Sequence, residues 1–441
     1  MHSHADNCRQ GCCYNPRHKC CNWQQLATTR LSSSSAQTLT YAAILTASCV
    51  LLLAFAIERG CHALKVPSVI ALIAAGLVLR PLIEEFHFTP RGLDIVVPII
   101  GTLGLILIVL EGAMDIKLKR ERMRAVLSAV GVAVGGVVAV IAAFTGFAAL
   151  AFDLPLLKAM LLAIPFAVIS SAVAISSSGF LPSEQKEFVV YESSISDIFG
   201  VLLFFSLLNS DGTVSGAIAA FAGGGAISLA LSILFAVGLV LILMRIDGHV
   251  RFIPLLAGLF GLYALGELLH LSPLILVLLF GLTLNNRQLL SRFSIFRNWF
   301  DDSYDERLNQ FKMLVLELTF AVRGFFFLLL GYWSKPADMT SLNAWLVAAV
   351  ILVTIYASRY LLLRAARQPM ADVVTWIAPR GLVTVLLLLH AQNALQVPGY
   401  LNGAVIIVVL VSSALIGIAR LKLAKSETNA DTGIKAQETE T

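Results

Sequence analysis

The chain has 441 residues, of which 58% are hydrophobic and 13% are charged, and it carries a formal net charge of +5. Because soluble domains carry about 25% charged residues, this composition excludes an ordinary soluble enzyme or binding module and predicts a membrane protein. The positive charge is divided among short loops between apolar runs, which does not indicate a nucleic-acid partner.

The first 37 residues are polar, and they predict a disordered N-terminal leader over 1–37 without a secretory signal peptide. Five of the seven cysteines lie in this leader, at positions 8, 12, 13, 20 and 21, beside His2, His4 and His18. Such a Cys/His cluster is able to bind zinc, but the spacing fits no standard zinc finger. A disordered tail, or a start site assigned too far upstream, is the favoured interpretation.

Apolar runs of about 17 to 25 residues predict transmembrane helices. Thirteen such spans lie near 38–57, 66–83, 95–114, 124–150, 156–179, 188–208, 215–244, 251–269, 272–286, 314–333, 342–363, 372–394 and 401–421. The predicted fold class is therefore an all-α polytopic membrane protein of about 13 transmembrane helices, with a transmembrane domain over 38–422. Residues 423–441 form a short polar cytoplasmic tail, which is too short to fold alone.

The distribution of Lys and Arg orients the predicted bundle. The odd-numbered connections between spans hold 17 of these residues and the even-numbered connections hold 4. The positive-inside rule places the odd connections in the cytoplasm, with the N-terminus outside and the C-terminus cytoplasmic. We expect a plasma membrane of the bacterial inner membrane type. When Lys and Arg at the span ends are counted with the adjoining connections and termini, three arginines remain inside spans: Arg323, Arg359 and Arg380.

A weak internal repeat relates the two halves of the chain. Residues 66–79, VPSVIALIAAGLVL, resemble residues 271–284, LSPLILVLLFGLTL, with Gly76 matching Gly281. These are spans 2 and 9, which run in opposite directions, as inverted-topology repeats of spans 1–6 and 8–13 require. The same pairing sets span 5 against span 12, and proline interrupts both, at Pro165 and Pro379. Broken helices in matching positions indicate a midplane ion site, although Pro and Gly are also common in membrane helices.

Span 6 contains the segment ESSISD, from Glu192 to Asp197, at membrane depth. Ionisable residues at this depth are costly and usually line a protein interior or an ion path. At about 100° per residue, Ser193, Ser196 and Asp197 share one arc with Glu192 at its edge. We interpret Asp197 as the working carboxylate and Glu192 as half of a structural ion pair. The alternative for Glu192 is an interfacial position near the start of the span.

Span 5 adds a run of serines after Pro165. A break there frees backbone carbonyls that could join hydroxyl groups in binding a hard monovalent cation. Ser170 and Ser171 lie nearest the point where the two broken spans cross, and they are the predicted ligands. The alternative, strongest for residues 176–178, is that the hydroxyls bond to their own helix or allow close helix packing.

These motifs together resemble those of the monovalent cation:proton antiporters, the sodium/proton exchanger family. ESSISD resembles the family signature E-S-x-x-N-D, and APRGL at 378–382 resembles its G-x-R-G motif. YASR, ending at Arg359, is similar to the A-R-x stretch of the neighbouring span. LIVLEGAMDIKLK at 107–119 resembles the end of the family's third helix. The resemblance covers roughly residues 60 to 422.

The resemblance implies a role for each matching residue. Asp197 would bind a proton and a cation in turn, with Ser193 lending an oxygen. Glu192 would bridge to Arg359 and hold spans 6 and 11 together. Arg380 would lie where the broken helices cross and balance the partial charges of their ends. Arg323 has no assigned family role, and pairing with Glu317 or snorkelling is its alternative. The family also implies a homodimer.

Two departures from the family bear on the ion. Ser170, Ser171 and Ala172 stand where many members have T-D-P, and Ser196 stands where they have Asn. The missing carboxylate leaves Na+ and K+ both open as substrates beside H+, and the lipid bilayer is a further expected partner. No cofactor is predicted, and no metal beyond the transported cation. Since only a loaded and neutral Asp197 should cross the dry barrier, we predict electroneutral 1:1 exchange.

Two other classes of function use similar residues. A gated monovalent cation channel could employ the same polar helices, but it needs a continuous pore, whereas broken inverted repeats favour alternating access. An intramembrane protease would need a nucleophile such as Ser178, yet no G-x-S-G motif is present there. Its only candidate base inside a span is His390, near a helix end. We therefore do not predict an enzyme.

Overall fold

The described residues of the computed structural model are 41, 44–61, 63–64, 67–85, 93–115, 123–208, 210, 216, 230–231, 233–235, 237–238, 252–268, 273–286, 303–334, 336–395 and 398–439. Every regular element within these ranges is a helix. We label the helices α1 (Ile44–Cys61), α2 (Ser68–Glu85), α3 (Leu93–Asp115), α4 (Met123–Phe152), α5 (Leu156–Ala167), α6 (Ser171–Ser177), α7 (Ser183–Leu208), α8 (Phe252–Leu268), α9 (Pro273–Asn285), α10 (Ser303–Trp333), α11 (Pro336–Thr340), α12 (Leu342–Ala365), α13 (Ala371–Val374), α14 (Leu382–Ala394) and α15 (Tyr400–Thr439).

Six of the described helices are long and apolar enough to cross a bilayer: α1, α4, α7, α10, α12 and α15. The prediction of an all-α polytopic membrane protein is therefore confirmed. Shorter apolar helices match most of the other predicted spans. Most of the predicted span 215–244 and the whole leader 1–37 lie outside the described residues, so the total of thirteen spans stays a prediction. The last helix carries the polar residues after 422 as its continuation to Thr439.

Two of the predicted spans are each divided into two helices, as the proline positions suggested. Span 5 consists of α5, an extended segment over 168–170, and α6. Span 12 consists of α13, a non-helical segment over 375–381, and α14. Pro165 lies inside α5, so the helix ends two residues after it instead of at the proline itself. Both interruptions are buried, which places their backbone polar groups where neither water nor lipid can bond them.

The helices pack in two neighbouring groups. The broken helices contact α4, α7, α12 and α15, and the apolar side chains between them include Phe144 and Phe166, with ring centroids 5.4 Å apart. The second group consists of α2, α3, α9 and α10. Helix α3 joins the groups through contacts with α6, α7 and α14. Its glycines at 101, 104 and 112 face side chains of Leu386, Leu382 and Ser194 across that junction.

Two glycines bring α2 and α10 into backbone contact. A Cβ at Gly76 would overlap the carbonyl oxygen of Leu328, and a Cβ at Gly331 would overlap that of Ile73. Gly281 of α9 meets α3 in a similar way, since a Cβ there would lie 2.7 Å from the Cβ of Ala113. Spans 2 and 9 therefore use matching glycines against spans 10 and 3. In an inverted repeat, span 2 corresponds to span 9 and span 3 to span 10, so the contact of span 2 with span 10 corresponds to that of span 9 with span 3. The repeat itself remains a prediction.

We expect Gly331→Ala to destabilise the protein because its methyl group must displace backbone atoms of α2. Overpacking of this kind costs about 1–3 kcal/mol, and the thermal midpoint of the detergent-purified protein should fall accordingly. Gly146→Ala in α4 is the matched control, since a Cβ there meets no atom of the described residues within 4 Å. The control should leave the midpoint unchanged or raise it slightly, because alanine favours the helix. Equal midpoints for the two variants would contradict the close contact.

Candidate functional site

The extended segment of the first broken helix is held by side chains of α7. The backbone N–H of Ile169 donates to Ser196 Oγ at 3.0 Å, and that of Ser171 donates to Asp197 Oδ2 at 3.0 Å. Adjacent residues of α7 therefore satisfy two donors that the helix break leaves without a helical partner. Gly200 allows the extended segment 168–170 to approach α7, since a Cβ at position 200 would overlap the side chain of Val168.

The two broken helices meet at what we call the crossing, formed by residues 168–170 and 378–381. The Ser170 N–H donates to the carbonyl oxygen of Pro379 at 2.9 Å, which joins the interruptions through their backbones. A Cβ at Gly381 would overlap Ser170 Oγ and lie 2.9 Å from Ser170 Cβ. Glycine follows Arg380 in the sequence because this approach leaves no space for a side chain.

Arg380 is 1% exposed and lies inside the crossing. Its Nε donates to the carbonyl oxygen of Phe166 at 2.8 Å, in the last turn of α5. Its backbone N–H donates to Ser412 Oγ of α15 at 2.9 Å. A cation at the C-terminal end of a helix is favourable because the unsatisfied carbonyl groups carry partial negative charge. The structure thus places Arg380 at the end of a broken helix, where the family resemblance implied it.

Arg359 and Glu192 form a buried ion pair between α12 and α7. Both guanidinium Nη atoms contact the carboxylate, with Nη1 on Oε1 and Nη2 on Oε2 at 2.8 Å. Arg359 also donates to the carbonyl oxygen of Val374, the last residue of α13, from Nε at 3.3 Å and Nη2 at 3.2 Å. One arginine therefore neutralises Glu192 and satisfies the end of the second broken helix. The interfacial alternative for Glu192 does not fit its burial.

Asp197 differs from Glu192, because no arginine of the described ranges forms an ion pair with it. It is 4% exposed, and its Oδ2 accepts the Ser171 N–H. Its Oδ1 is also buried and has no hydrogen-bond partner among the residues that the structure describes. A buried carboxylate oxygen without a donor is costly and is suited to a proton or a cation.

Two of the predicted site residues have different surroundings from those expected. The Ser193 hydroxyl donates to the carbonyl oxygen of Val189 at 2.7 Å, so its hydrogen is used within α7 and only its lone pairs remain for a ligand. Arg323 lies 3.5 Å from Glu58 at the side of α1. The suggested partner, Glu317, precedes Arg323 by six residues on α10. At about 100° per residue the two side chains are about 240° apart around the helix axis and lie on different faces. Arg323 therefore lies against α1, and not against the crossing.

A small, partly open pocket lies beside the crossing, against α4 and α12. Its polar lining comes from Glu192, Ser196, Ser358, Arg359 and Arg380, while Asp197 is not part of it. Since Glu192 and Arg359 neutralise each other there, the cavity offers no free anionic charge to a cation. The candidate ion site is therefore Asp197, whose carboxylate contacts the first residue of α6.

The residues suggested for a protease make other contacts. Ser178 donates to the carbonyl oxygen of Ile175 at 2.9 Å, and His390 Nδ1 lies 2.8 Å from the carbonyl oxygen of Leu386. Within the described ranges no three His, Cys, Asp or Glu side chains gather as a metal site. The Cys/His cluster of the leader lies outside those ranges.

The sequence reasoning missed Ser194, Ser412 and Gly112. No local sequence pattern identifies Ser412, because its hydroxyl accepts the backbone N–H of Arg380 from another helix. Ser194 did have one, since it precedes Asp197 by three residues on the same helix.

A multi-pass helical protein with two interrupted helices crossing at buried charges has the architecture of a secondary transporter. Residues 45–421 match the family described as sodium/hydrogen exchanger, transmembrane. The chain belongs to this family, which is one of transporters, and the family name gives sodium and hydrogen ions as the exchanged ions.

Solved structures agree on the fold. The sodium proton antiporter MjNhaP1 from Methanocaldococcus jannaschii, at pH 8, matches with a TM-score of 0.65 and 19% identity over 86% of this chain and 94% of that one. An electron-microscopy map of the same antiporter matches with a TM-score of 0.61 and 20% identity, over 87% and 96% of the two chains. At such identities the likeness shows the fold alone. No curated protein matches the chain.

The buried pair makes a prediction for stability. Glu192→Gln leaves the Arg359 charge buried and uncompensated, and breaking a buried pair in this way costs about 3–5 kcal/mol. We expect a clear fall in the thermal midpoint, partly reversed when Arg359→Met removes the stranded charge as well. Asp372→Asn is the matched control: it breaks the Arg364–Asp372 pair, which is similarly short at 2.9 Å but more than half exposed. That control should leave the midpoint unchanged. A double variant less stable than Glu192→Gln would show that the pair is not the reason.

Proposed function

We propose that this chain is a secondary active transporter that exchanges a monovalent cation, Na+ or K+, for H+ by alternating access around Asp197. The observation that carries the proposal is the pair of oxygens on that buried carboxylate. One accepts the Ser171 N–H at the helix break, and the other has no partner in the described part of the chain. Such a group can bind a proton or a cation, but not both at once.

The mechanism follows from the cost of burying charge. A bare carboxylate crossing the dry barrier is penalised by several kcal/mol, whereas Asp197 carrying one proton or one monovalent cation is neutral. Only the loaded forms change their exposure from one side to the other. Proton and cation therefore compete for the same site, and exchange is electroneutral with a 1:1 ratio.

The neighbouring residues support this role in different ways. Ser170 and Ser171 lie at the N-terminal end of α6. In this proposal the hydroxyl oxygens of Ser193 and Ser196 add further lone pairs for the cation near the carboxylate. Arg380 and the Glu192–Arg359 pair hold the broken helices without competing for the ion, because their charges are already balanced. Arg323 has no part in the exchange.

The transported cation is Na+ or K+, because the residues around Asp197 can accept either ion. Family membership favours Na+. Ser170, Ser171 and Ala172 provide no second carboxylate beside Asp197, and a site with fewer charged ligands discriminates less strongly in favour of a small cation. Exchange rates compared for Na+, K+ and Li+ in the same proteoliposomes decide between them.

We further propose that the protein works as a homodimer in the plasma membrane, with the N-terminus outside and the C-terminus in the cytoplasm. The asymmetry of Lys and Arg supports the orientation. The dimer rests on family membership. Protease access to each terminus in intact cells tests the orientation, and the mass of the complex in lipid nanodiscs tests the dimer.

Asp197→Asn should abolish exchange while preserving the fold. The amide oxygen still accepts the Ser171 N–H, but the uncharged amide can neither take up and release a proton nor attract a cation as the carboxylate does. We expect no cation-driven pH change in proteoliposomes, with a thermal midpoint close to that of the parent protein. Asp372→Asn, at an exposed carboxylate, is the control and should exchange normally. Retained exchange in Asp197→Asn would exclude this residue as the site.

Electroneutral exchange should be insensitive to voltage. One charge moving across 100 mV is worth about 2.3 kcal/mol, so an exchanger that moves net charge changes rate strongly with membrane potential. We expect equal rates of cation-driven pH change in proteoliposomes held at zero and at about 100 mV of either sign. A cation-driven pH change that stops when the potential is clamped at zero would contradict the 1:1 ratio.

A further inference from the structure

Ser194 is a buried polar residue of α7 that the proposed mechanism does not use. Its side chain is 2% exposed, and its hydroxyl has no hydrogen-bond partner among the described residues. The serines on either side differ in this respect. Ser193 donates to the carbonyl oxygen of Val189, and Ser196 accepts the N–H of Ile169.

The Ser194 hydroxyl lies on the α3 side of the crossing. An ideal Cβ built on Gly112 of α3 would be 3.4 Å from Ser194 Oγ and 4.0 Å from Ser171 Oγ. The two hydroxyl oxygens therefore approach the same bare glycine from two helices. Ser171 is also the residue whose N–H reaches Asp197.

Asp197 lies on the same side of α7 as Ser194, because residues three apart on a helix are neighbours. Two buried oxygens in this neighbourhood, Asp197 Oδ1 and Ser194 Oγ, lack a donor or acceptor in the part of the chain that the structure describes. Native proteins rarely leave buried polar groups unpaired, and each such pair of atoms needs an explanation. A hard monovalent cation binds carboxylate and hydroxyl oxygens, so one ion would satisfy both.

We propose that Ser194 is a ligand of the transported cation, together with Asp197, and that Gly112 leaves the space in which the ion is held. This inference rests on the exchange proposed above and adds to it a residue that sets affinity and selectivity. The position is one of the unspecified places in the family signature E-S-x-x-N-D, so the inference concerns this chain in particular.

A purely structural role for Ser194 makes the opposite prediction. If the hydroxyl only fills space, its removal relieves an unpaired buried group and leaves transport unchanged. If it binds the cation, its removal weakens cation binding but leaves the empty protein at least as stable. Cation affinity in transport, and the stabilisation by added cation, therefore separate the two roles.

The test compares Ser194→Ala with Ser413→Ala in proteoliposomes and in detergent. Ser413 is a fitting control because it is also fully buried and has an unpartnered hydroxyl within the described ranges, but it lies on α15. We expect Ser194→Ala to raise the KM for the cation about tenfold, the loss that corresponds to one neutral ligand. The maximal rate and the cation-free thermal midpoint should be unchanged, while the stabilisation by added cation shrinks. Ser413→Ala should match the parent protein in all four measurements.

Gly112→Ala provides a second, independent variant. Its methyl group would sit at an ordinary contact distance from Ser194 Oγ, so the fold should tolerate it. The methyl group narrows the space beside the oxygens, and we expect the KM for K+ to rise more than the KM for Li+ or Na+. This change in ion preference has no counterpart in a packing role.

The outcomes are distinct from those of the function itself. If the parent protein exchanges ions but Ser194→Ala keeps its KM for every cation, the hydroxyl is not a ligand and this inference is wrong. An unchanged ion preference in Gly112→Ala would contradict the assigned space. A Ser194→Ala variant that loses cation-free stability has a structural role, which also contradicts the proposal. If the parent protein itself exchanges no cation for protons, the failure lies with the proposed function.

Discussion

Interrupting a helix inside a bilayer exposes backbone N–H and C=O groups that lipid cannot bond, and the rest of this structure depends on how that cost is met. The donors of the first break go to Ser196, Asp197 and the carbonyl of Pro379. The acceptors at the ends of α5 and α13 go to Arg380 and Arg359. Residues that look like an ion pathway in the sequence are therefore also the partners of the broken backbone.

This double use explains why four charged groups can share one buried region. Glu192 and Arg359 compensate each other directly, and Arg380 is compensated by carbonyl dipoles at the end of α5. Buried charges are tolerated only with such partners. Asp197 has a single backbone donor, which leaves it as the group whose charge is balanced least by the protein. The difference between the two carboxylates of α7 thus comes from what faces them, and not from their depth.

Much of the architecture was predictable because it depends on local pattern. Apolar runs in the sequence predicted where the described membrane helices lie, and Pro165 and Pro379 predicted which two spans are interrupted. The pairing of Glu192 with Arg359 was suggested by resemblance, because nothing local connects residues 167 positions apart. The surroundings of Ser193 and Arg323 were not predictable. A serine in a helix can bond its own backbone or reach outward, and only the neighbouring helix decides between these. Arg323 meets Glu58 because α10 lies beside α1, which no periodicity reveals. The spacing of three residues between Ser194 and Asp197 was visible in the sequence, but the approach of Gly112 from α3 was not.

The hydrogen bonds at the crossing also limit how the molecule can move. Backbone and side-chain bonds link α5, α6, α7, α12, α13, α14 and α15 in an unbroken series, so these helices form one connected body whose parts resist separate displacement. The neighbouring helix α3 presents Gly101, Gly104 and Gly112 to that body. The contact at Gly101 is close, since a Cβ there would lie 2.6 Å from Leu386 Cδ2, so the Leu386 side chain of α14 fills the space that this glycine leaves. A displacement of the broken helices relative to α3 would therefore have to move Leu386 out of this space, whereas the hydrogen bonds of the crossing could stay intact.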